Sequence, residues 1–263
     1  MQPLHIPFLG NNKSLGQISG CNLALTNYDQ KAELTEKHTH EYPSISLLLN
    51  GTYHEELAGQ RHRRQSGDFK LVEGGQSHRC YNYSANTVKI NLEFTPAFFG
   101  STGLSSGCIG DILGSYSNKL TLIKLYSGLC EEEMPVTASV QILLLQLFNK
   151  PIAGSASRTM PPWVVQIKAL LHDQQHTNFD LNYLSGVLGV HPVTISKWFP
   201  HYFNVTLSEY LRLIKLEKAT LMLKNTRLSL TEIAYTCGFA DQGHFTRTFK
   251  ATTGFLPKAF RKI

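Results

Sequence analysis

The C-terminal part of this chain contains one pattern of residues twice. The first copy runs from Leu181 to Arg212 and the second from Leu230 to Arg261. Three positions recur 49 residues later and, after a one-residue insertion, three more recur 50 residues later. The matching pairs are Leu181 and Leu230, Leu184 and Ile233, Gly189 and Gly238, Ile195 and Phe245, Phe199 and Phe249, and Tyr210 and Phe260. Apolar residues at helical spacing around a central glycine predict two helix-turn-helix units in one all-α domain.

The positive charge of the chain lies almost entirely with this repeat. Residues 158–263 carry 13 Lys and Arg against 6 Asp and Glu, a net of +7, whereas residues 1–157 carry 12 against 13, a net of −1. A basic half that contains two such units is typical of a protein that binds the phosphates of double-stranded DNA. The 263 residues leave room upstream for a second domain with its own core.

Capping residues define a recognition helix in the second unit. Asp241 is a favourable N-cap and Gly254 a favourable C-terminal stop, so we predict a helix from Gln242 to Thr253. Phe245 and Phe249 are four residues apart and face the core. In the major groove, Gln can read adenine and Arg can read guanine. The residues predicted to face DNA are Gln242, Gly243, His244, Thr246 and Arg247.

The first unit has Ile195 and Phe199 as its corresponding core pair. The outward residues can contact phosphates, bases or a thymine methyl group, and they are Val193, Thr194, Ser196 and Lys197. In the second unit, further DNA contacts are predicted for Lys250, Lys258 and Arg261. Pro200 should end or kink the helix in its last turn, because proline lacks the backbone donor. A helical segment over residues 207–223 connects the units, and a rigid connector would place the two recognition helices about one turn of DNA apart.

Residues 20–95 have the alternation of β-strands. Glycines at positions 51, 59, 67 and 75 separate short strands at intervals of eight residues, which predicts an antiparallel sandwich or barrel. Asn50-Gly51 is a signal for a tight hairpin. The sequence RHRR at 61–64 predicts an edge strand protected by charge, with a clamp for an anionic effector as the alternative.

Residues 104–149 lose this alternation and have helical character. The apolar stripe of residues 135–149 either covers the barrel or pairs with a second subunit. Residues 150–162 have the composition of a linker. We therefore predict an α+β chain with an N-terminal domain over 1–149, a linker over 150–162 and a DNA-binding domain over 163–263.

Cysteine usage and hydropathy indicate the cellular location. The five cysteines are odd in number and have no close pair, which argues against a disulfide framework and against a cysteine zinc site. We find no basic-then-apolar leader and no apolar run near the roughly 20 residues of a membrane span. We expect a cytoplasmic protein that has no membrane partner.

The segment LTEIAYTCGFADQGHFTRTFKATTGFLPKAFR, at 230–261, closely resembles the C-terminal signature of AraC-type (AraC/XylS) transcription regulators. The first copy, the connecting helix and their spacing resemble the same family over roughly 160–263. Pro200, Asn204 and Lys215 stand where the family usually has a basic residue, a glycine and an arginine. The resemblance implies a sequence-specific regulator, not an enzyme, that acts as a homodimeric activator with RNA polymerase as a partner.

The N-terminal segments HTHEYPSISLLLNG and GDFKLVEGGQSHRCYN resemble a cupin, and specifically the sensing domain of AraC-type regulators. His38 and His40 match the HxH pair of that fold and His78 matches its later histidine, whereas Glu73 replaces the usual proline. The resemblance implies a cupin-like barrel with a pocket for a small-molecule effector. The predicted pocket residues are His38, His40, His78, Tyr42 and Tyr53.

Two classes of function follow from these patterns. The first is a transcription regulator that responds to a small-molecule effector and has no cofactor or metal. The alternative is a metal-dependent cupin enzyme tethered to DNA, in which His38, His40 and His78 hold Zn²⁺, Fe²⁺ or Ni²⁺. The glutamate of metal-binding cupins is absent at 44 and 45, which favours the regulator.

Overall fold

The computed structural model describes residues 10–29, 36–113, 116–130, 136–148, 160–172 and 179–263. Antiparallel strands make up the N-terminal part and helices the C-terminal part, which confirms the predicted mixed composition and its order along the chain. The acidic run at 131–133 and most of the predicted linker lie outside the described residues. In the part that is described, no helix is long and apolar enough to cross a membrane.

The described residues include eight strands, which form two antiparallel sheets. A five-stranded sheet has the order β1-β2-β8-β3-β6, and a three-stranded sheet has the order β5-β4-β7. The RHRR sequence lies in β5, at an edge of the smaller sheet as predicted. The strands are β1 (Asn11–Ile18), β2 (Cys21–Tyr28), β3 (Ser44–Asn50), β4 (Thr52–Leu57), β5 (Gln60–Gln65), β6 (Phe69–Val72), β7 (His78–Tyr81) and β8 (Thr87–Phe94).

The hairpin predicted at Asn50-Gly51 was wrong. β3 pairs with β6 and β8, whereas β4 pairs with β5 and β7, so Gly51 carries the chain from one sheet into the other. The tight hairpin lies instead at Ala58-Gly59, between β4 and β5, where both residues have positive φ. Two consecutive residues with positive φ form the turn that matches the twist of paired strands.

The two faces of the five-stranded sheet have opposite chemistry. Successive strand residues point to opposite sides, so Ile90 and Leu92 of β8 enter the main apolar core while Lys89 and Asn91 face the smaller sheet. β3 divides in the same way, with Ile45 and Leu47 in the core. One face of this sheet therefore packs on helices, and the other helps to line an internal cavity.

Helices follow the sheets, and the repeat forms the last six of them. The helix predicted at 135–149 is present as α4. The helices are α1 (Pro96–Thr102), α2 (Ile109–Ile112), α3 (Tyr116–Cys130), α4 (Val136–Leu147), α5 (Pro162–His172), α6 (Leu181–Leu188), α7 (Pro192–Phe203), α8 (Leu207–Asn225), α9 (Leu230–Thr236), α10 (Gln242–Thr253) and α11 (Pro257–Lys262), with a short 3₁₀ helix at Ser106–Cys108.

The two helix-turn-helix units belong to different cores. The first unit, α6 and α7, closes a small core with α5 and the start of α8, built from residues such as Leu184, Ile195 and Phe199. The second unit, α9 and α10, shares one continuous core with the helices and the sheet of the N-terminal part, and Phe245 and Phe249 belong to that core. Apolar packing therefore does not divide at the predicted linker.

Helix α3 makes this connection. It packs against both α8 and α10. Lys119 of α3 forms an ion pair with Glu217 of α8 at 2.6 Å, and the ring centroids of Tyr126 and Phe255 are 5.8 Å apart. The Ser127 side chain lies directly against Gly254, at the end of α10.

Candidate nucleic-acid interface and internal cavity

Helix α10 has the bounds that the capping residues predicted. The Asp241 carboxylate accepts a hydrogen bond from the His244 backbone N–H at 2.7 Å, and Gly254 ends the helix in the left-handed region at φ 82°. Phe245 and Phe249 are fully buried. These contacts fix the rotation of the helix, and the opposite face carries the residues predicted to read DNA.

The predicted DNA-facing residues of α10 differ in what they contact. Gln242, His244 and Arg247 are exposed, whereas Gly243 and Thr246 are half-buried. The side-chain amide oxygen of Gln242 accepts a hydrogen bond from the Thr231 hydroxyl at 2.6 Å. The His244 ring packs edge-on against Phe239. Arg247 is exposed, and its long side chain carries hydrogen-bond donors on this face of the helix.

Helix α7 presents the corresponding face of the first unit. Val193, Ser196 and Lys197 are exposed, with Val193 at 64%, and Thr194 is half-buried. The helix continues through Pro200 to Phe203 and ends at Asn204, which has φ 59°. Pro200 therefore does not end the helix. The carbonyl that it deprives of a donor belongs to Ser196, on the exposed side, where water can satisfy the oxygen.

Four further basic residues of the DNA-binding part differ in their surroundings. Two are exposed, and two donate hydrogen bonds to backbone carbonyls of the protein. Lys250 and Lys258 are exposed. Arg261 donates to the Leu228 carbonyl at 2.6 Å, which ties α11 to the loop before α9. Lys215 of α8 donates to the Gly238 carbonyl at 2.7 Å, so it bonds the connecting helix to the turn of the second unit.

A cavity lies between the two sheets of the N-terminal part. Its volume is about 380 Å³ with its open mouth included. His38, His40 and His78 line it, as predicted from the sequence. The other lining residues are Tyr28, Ser44, Ser46, Lys70, Val72, Cys80, Tyr83, Lys89 and Asn91.

The three histidines form a cluster at the cavity wall. Their ring centroids are 4.2–5.3 Å apart, and one nitrogen from each lies within 4.8 Å of the others. Backbone hydrogen bonds of 2.9 and 3.0 Å join His38 to His78. Burial, followed by repulsion from Lys70, lowers the pKa of His78 to about 3, and burial also lowers the pKa of His38. Both imidazoles are therefore neutral at pH 7.

The two predicted tyrosines do not line the cavity. Tyr42 lies at the surface, where its hydroxyl donates to Glu41 at 2.7 Å. Tyr53 is buried behind the wall and stacks on Tyr83, with ring centroids 4.9 Å apart.

A charged cluster surrounds the buried carboxylate of Glu55. This carboxylate forms ion pairs with Lys70 and with Arg64, the latter at 2.8 Å. Burial raises the pKa of Glu55, but the attraction and hydrogen bonds of the two cations outweigh burial and hold the pKa at about 2. Glu55 is therefore ionised at neutral pH.

Comparison with known proteins identifies the class of regulator. A family profile described as a helix-turn-helix domain matches residues 184–263. The HTH-type transcriptional activator RhaS of Escherichia coli is 23% identical over 245 residues, which cover 86% of this chain and 87% of the relative. This chain is a DNA-binding transcription regulator with a C-terminal helix-turn-helix domain.

Solved structures also resemble the C-terminal part of this regulator. The C-terminal domain of the response regulator yesN from Fusobacterium nucleatum is 30% identical, covers 37% of this chain and 96% of its own, and has a TM-score of 0.35. A transcriptional regulator with an AraC-type DNA-binding domain from Chromobacterium violaceum is 22% identical, with coverages of 38% and 90% and a TM-score of 0.36.

The alternative of a metal-dependent enzyme is not favoured in this regulator. The spacing of the three histidines suits a metal ion. The same cavity, however, contains Lys70 and Lys89, and the nearby Glu55 already pairs with two cations. A divalent cation would therefore enter a positively charged environment, and the relatives are named as activators.

The two lysines of the cavity, Lys70 and Lys89, were not predicted from the sequence, although the sequence contains a signal for them. In the strand TVKINLEF, Lys89 and Asn91 alternate with Ile90 and Leu92, and Lys70 alternates with apolar neighbours in FKLV. Polar residues alternating with apolar ones are usually assigned to a solvated face. Here the polar face is covered by the second sheet, which the sequence pattern alone does not indicate.

Proposed function

We propose that this regulator activates transcription when a small molecule binds the cavity between its two sheets. The protein is not an enzyme in this scheme. The N-terminal part, residues 1–149, is a cupin-like barrel that senses the effector, 150–162 is the linker, and 163–263 binds DNA in the cytoplasm. The similarity to RhaS over most of both chains supports this arrangement.

DNA recognition is assigned to the exposed faces of α7 and α10. The buried aromatic pair of α10 and the Ile195–Phe199 pair of α7 turn these faces away from their cores. The helix α8 between them has 19 residues and is about 28 Å long at 1.5 Å per residue. Lys215 bonds it to the second unit. A connector of this length favours two half-sites about one turn of DNA apart.

The effector hypothesis rests on one series of packing contacts, which connects the cavity wall with the second recognition helix. β3 places Ser44 and Ser46 in the cavity wall and Ile45 and Leu47 in the main core. Helix α3 packs on β3, and the same helix packs on α10. Because tightly packed layers transmit small displacements, a ligand that shifts β3 changes the position of the second recognition helix.

A homodimer and a contact with RNA polymerase complete the proposal. Ile142 and Leu145 of α4 are 57% and 47% exposed, although their neighbours Leu143 and Leu144 are buried in the core. Exposed apolar residues on one helix support α4 as the dimer interface. A contact with RNA polymerase accords with the activator role.

Selection of DNA sequences by the full-length protein tests the regulator. Purified protein is mixed with a genomic DNA library, and bound fragments are sequenced at two salt concentrations. We expect one enriched motif with two half-sites about a turn apart. Salt-sensitive binding without any motif would contradict a sequence-specific regulator, because phosphate contacts alone do not distinguish sequences.

A further inference from the structure

We propose that the cavity binds a small organic acid, with its carboxylate held against the ammonium groups of Lys89 and Lys70. This inference rests on the proposed function, since it names the chemical class of the effector. It is carried by the distribution of charge around the cavity and by the polar groups that remain for the rest of the ligand.

Lys89 is a buried cation that faces the cavity. It is 8% exposed, and its ammonium lies 4.9 Å from the ring centroid of Tyr53 and 5.9 Å from that of Tyr83. Within the described part of the chain, no carboxylate lies within ion-pair distance of it. Burial and repulsion from Lys70 lower its pKa to about 8, so most of the charge persists at pH 7. A buried charge without a counterion is costly unless a partner binds.

The neighbouring charges leave an excess of positive charge at this wall. Glu55 pairs with both Lys70 and Arg64, and its attraction also reaches Lys89. Glu93 lies on the same strand as Lys89, but it accepts a hydrogen bond from Asn22 at 2.8 Å, toward the other end of the strand. Among the described residues, Lys70 and Arg64 pair with Glu55 and Lys89 adds a third positive charge without an ion pair, and this surplus favours an anion over a neutral molecule or a metal ion.

The rest of the wall suits the body of a hydroxylated acid. Ser44, Ser46 and Asn91 offer hydroxyl and amide groups, and the neutral His78 can donate or accept. The Tyr83 ring supplies an apolar surface.

Binding of matched acids and neutral molecules to the full-length protein tests the proposal. The probes are gluconate and lactate, with glucose and glycerol as their neutral counterparts and inorganic phosphate as a different anion. Thermal unfolding and calorimetry measure binding, because a ligand of the native state raises the unfolding temperature. We expect an acid to stabilise the protein while its neutral counterpart does not. Equal stabilisation by glucose, or stronger binding of phosphate than of either acid, would overturn the assignment.

Substitution of Lys89 connects binding to the named residue. Lys89→Gln should weaken binding of the acid about 10- to 100-fold, which is the usual effect of losing a hydrogen bond to a charged group. Lys89→Arg keeps the charge and should retain the preference for acids. Lys124→Gln, at an exposed position on α3, is the matched control and should leave affinity unchanged. The Gln variant without ligand should unfold no earlier than the natural protein, since it removes an uncompensated buried charge.

The outcomes separate this proposal from the proposed function. Unchanged affinity in both Lys89 variants overturns the site. Stabilisation by glucose alone overturns the acid but leaves a small-molecule effector in place. The selection of DNA sequences uses neither Lys89 nor the cavity, so the regulator is judged independently of these results.

Discussion

At the scale of single residues, Arg247 is the side chain on α10 best suited to read a base. It is exposed, and the buried Phe245 and Phe249 fix the rotation of its helix. Arginine contacts guanine through two parallel hydrogen bonds. Arg247→Ala should therefore weaken specific binding by about 1–3 kcal/mol and relax the preference at one position of the motif. Binding assays with single-base variants of the selected motif measure both effects.

Lys250 is the matched control on the same helix, because it is exposed but predicted to contact phosphate. Lys250→Ala should weaken binding to all sequences alike and reduce the dependence of affinity on salt by about one ion. An Arg247 variant that behaved in the same way would place Arg247 on the DNA backbone and not on a base.

Glu55 is predicted to make stability depend on pH. Its pKa of about 2 in the folded protein lies below its usual value of 4.5, so its contribution is present above pH 4.5 and is lost as pH falls toward 2. Glu55→Gln should cost about 3–5 kcal/mol near neutral pH, because it leaves two cations without their counterion. Urea unfolding from pH 3 to pH 7 measures the difference.

The gap in unfolding free energy between the natural protein and Glu55→Gln should be constant above about pH 5 and shrink below it. Glu56→Gln, the next residue on the same strand with its side chain on the opposite face, is the control and should have a smaller effect. A gap that did not change with pH would show that Glu55 is not held ionised by Lys70 and Arg64.

At the scale of elements, two helices end at glycines whose backbone is in the left-handed region. These glycines allow a direct test of how α10 contacts α3. Gly254 ends α10 at φ 82° and Gly189 ends α6 at φ 63°. A side chain at Gly189 would meet open space, whereas one at Gly254 would collide with Ser127 of α3. Gly189→Ala should cost about 1–2 kcal/mol from backbone strain alone, and Gly254→Ala should cost more. Chemical denaturation of both variants compares them.

A double-mutant cycle assigns the additional cost to the contact. Ser127→Gly removes the side chain that Gly254→Ala would meet, so the two changes together should cost less than the sum of their separate effects. Ser127→Gly combined with Gly189→Ala should be additive. Additivity in both pairs would mean that α3 and α10 do not pack as described.

Element boundaries followed the sequence where local chemistry dominates, and differed where strand pairing decides. The bounds of α10 were predicted from Asp241 and Gly254, because capping depends on neighbouring residues. Asn50-Gly51 was mistaken for a hairpin because its strands find their partners elsewhere in the fold. Pro200 remains inside α7, since Ile195 and Phe199 pack into the core of the first unit and hold the helix together.

At the scale of the whole molecule, the shared core predicts unequal behaviour of the two DNA-binding units. Phe245 and Phe249 belong to the core that includes α3, whereas Ile195 and Phe199 belong to a separate one. In a fragment of residues 158–263, the second unit loses the surface contributed by α3, and the first keeps all of its core. Hydrogen exchange should therefore be faster in α9 and α10 of the fragment than in the full chain.

The same measurement contains its own control, because exchange in α6 and α7 should be alike in the fragment and in the full chain. Equal protection of α10 in both proteins would mean that the second unit does not depend on α3, and the path proposed from the cavity to DNA would then lack its connection.

The sequence by itself determined the two helix-turn-helix units, their outward faces and the histidines of the cavity. The helical units and their faces follow from periodicity and helix capping, which act over a few neighbouring residues, and the histidines follow from the resemblance to a cupin. Only the tertiary structure decided that Lys70 and Lys89 face an enclosed space, that Glu55 is shared by two cations, and that α3 joins the sheet to α10. Burial and charge pairing depend on residues distant in the chain, and strand alternation does not specify which element covers a polar face.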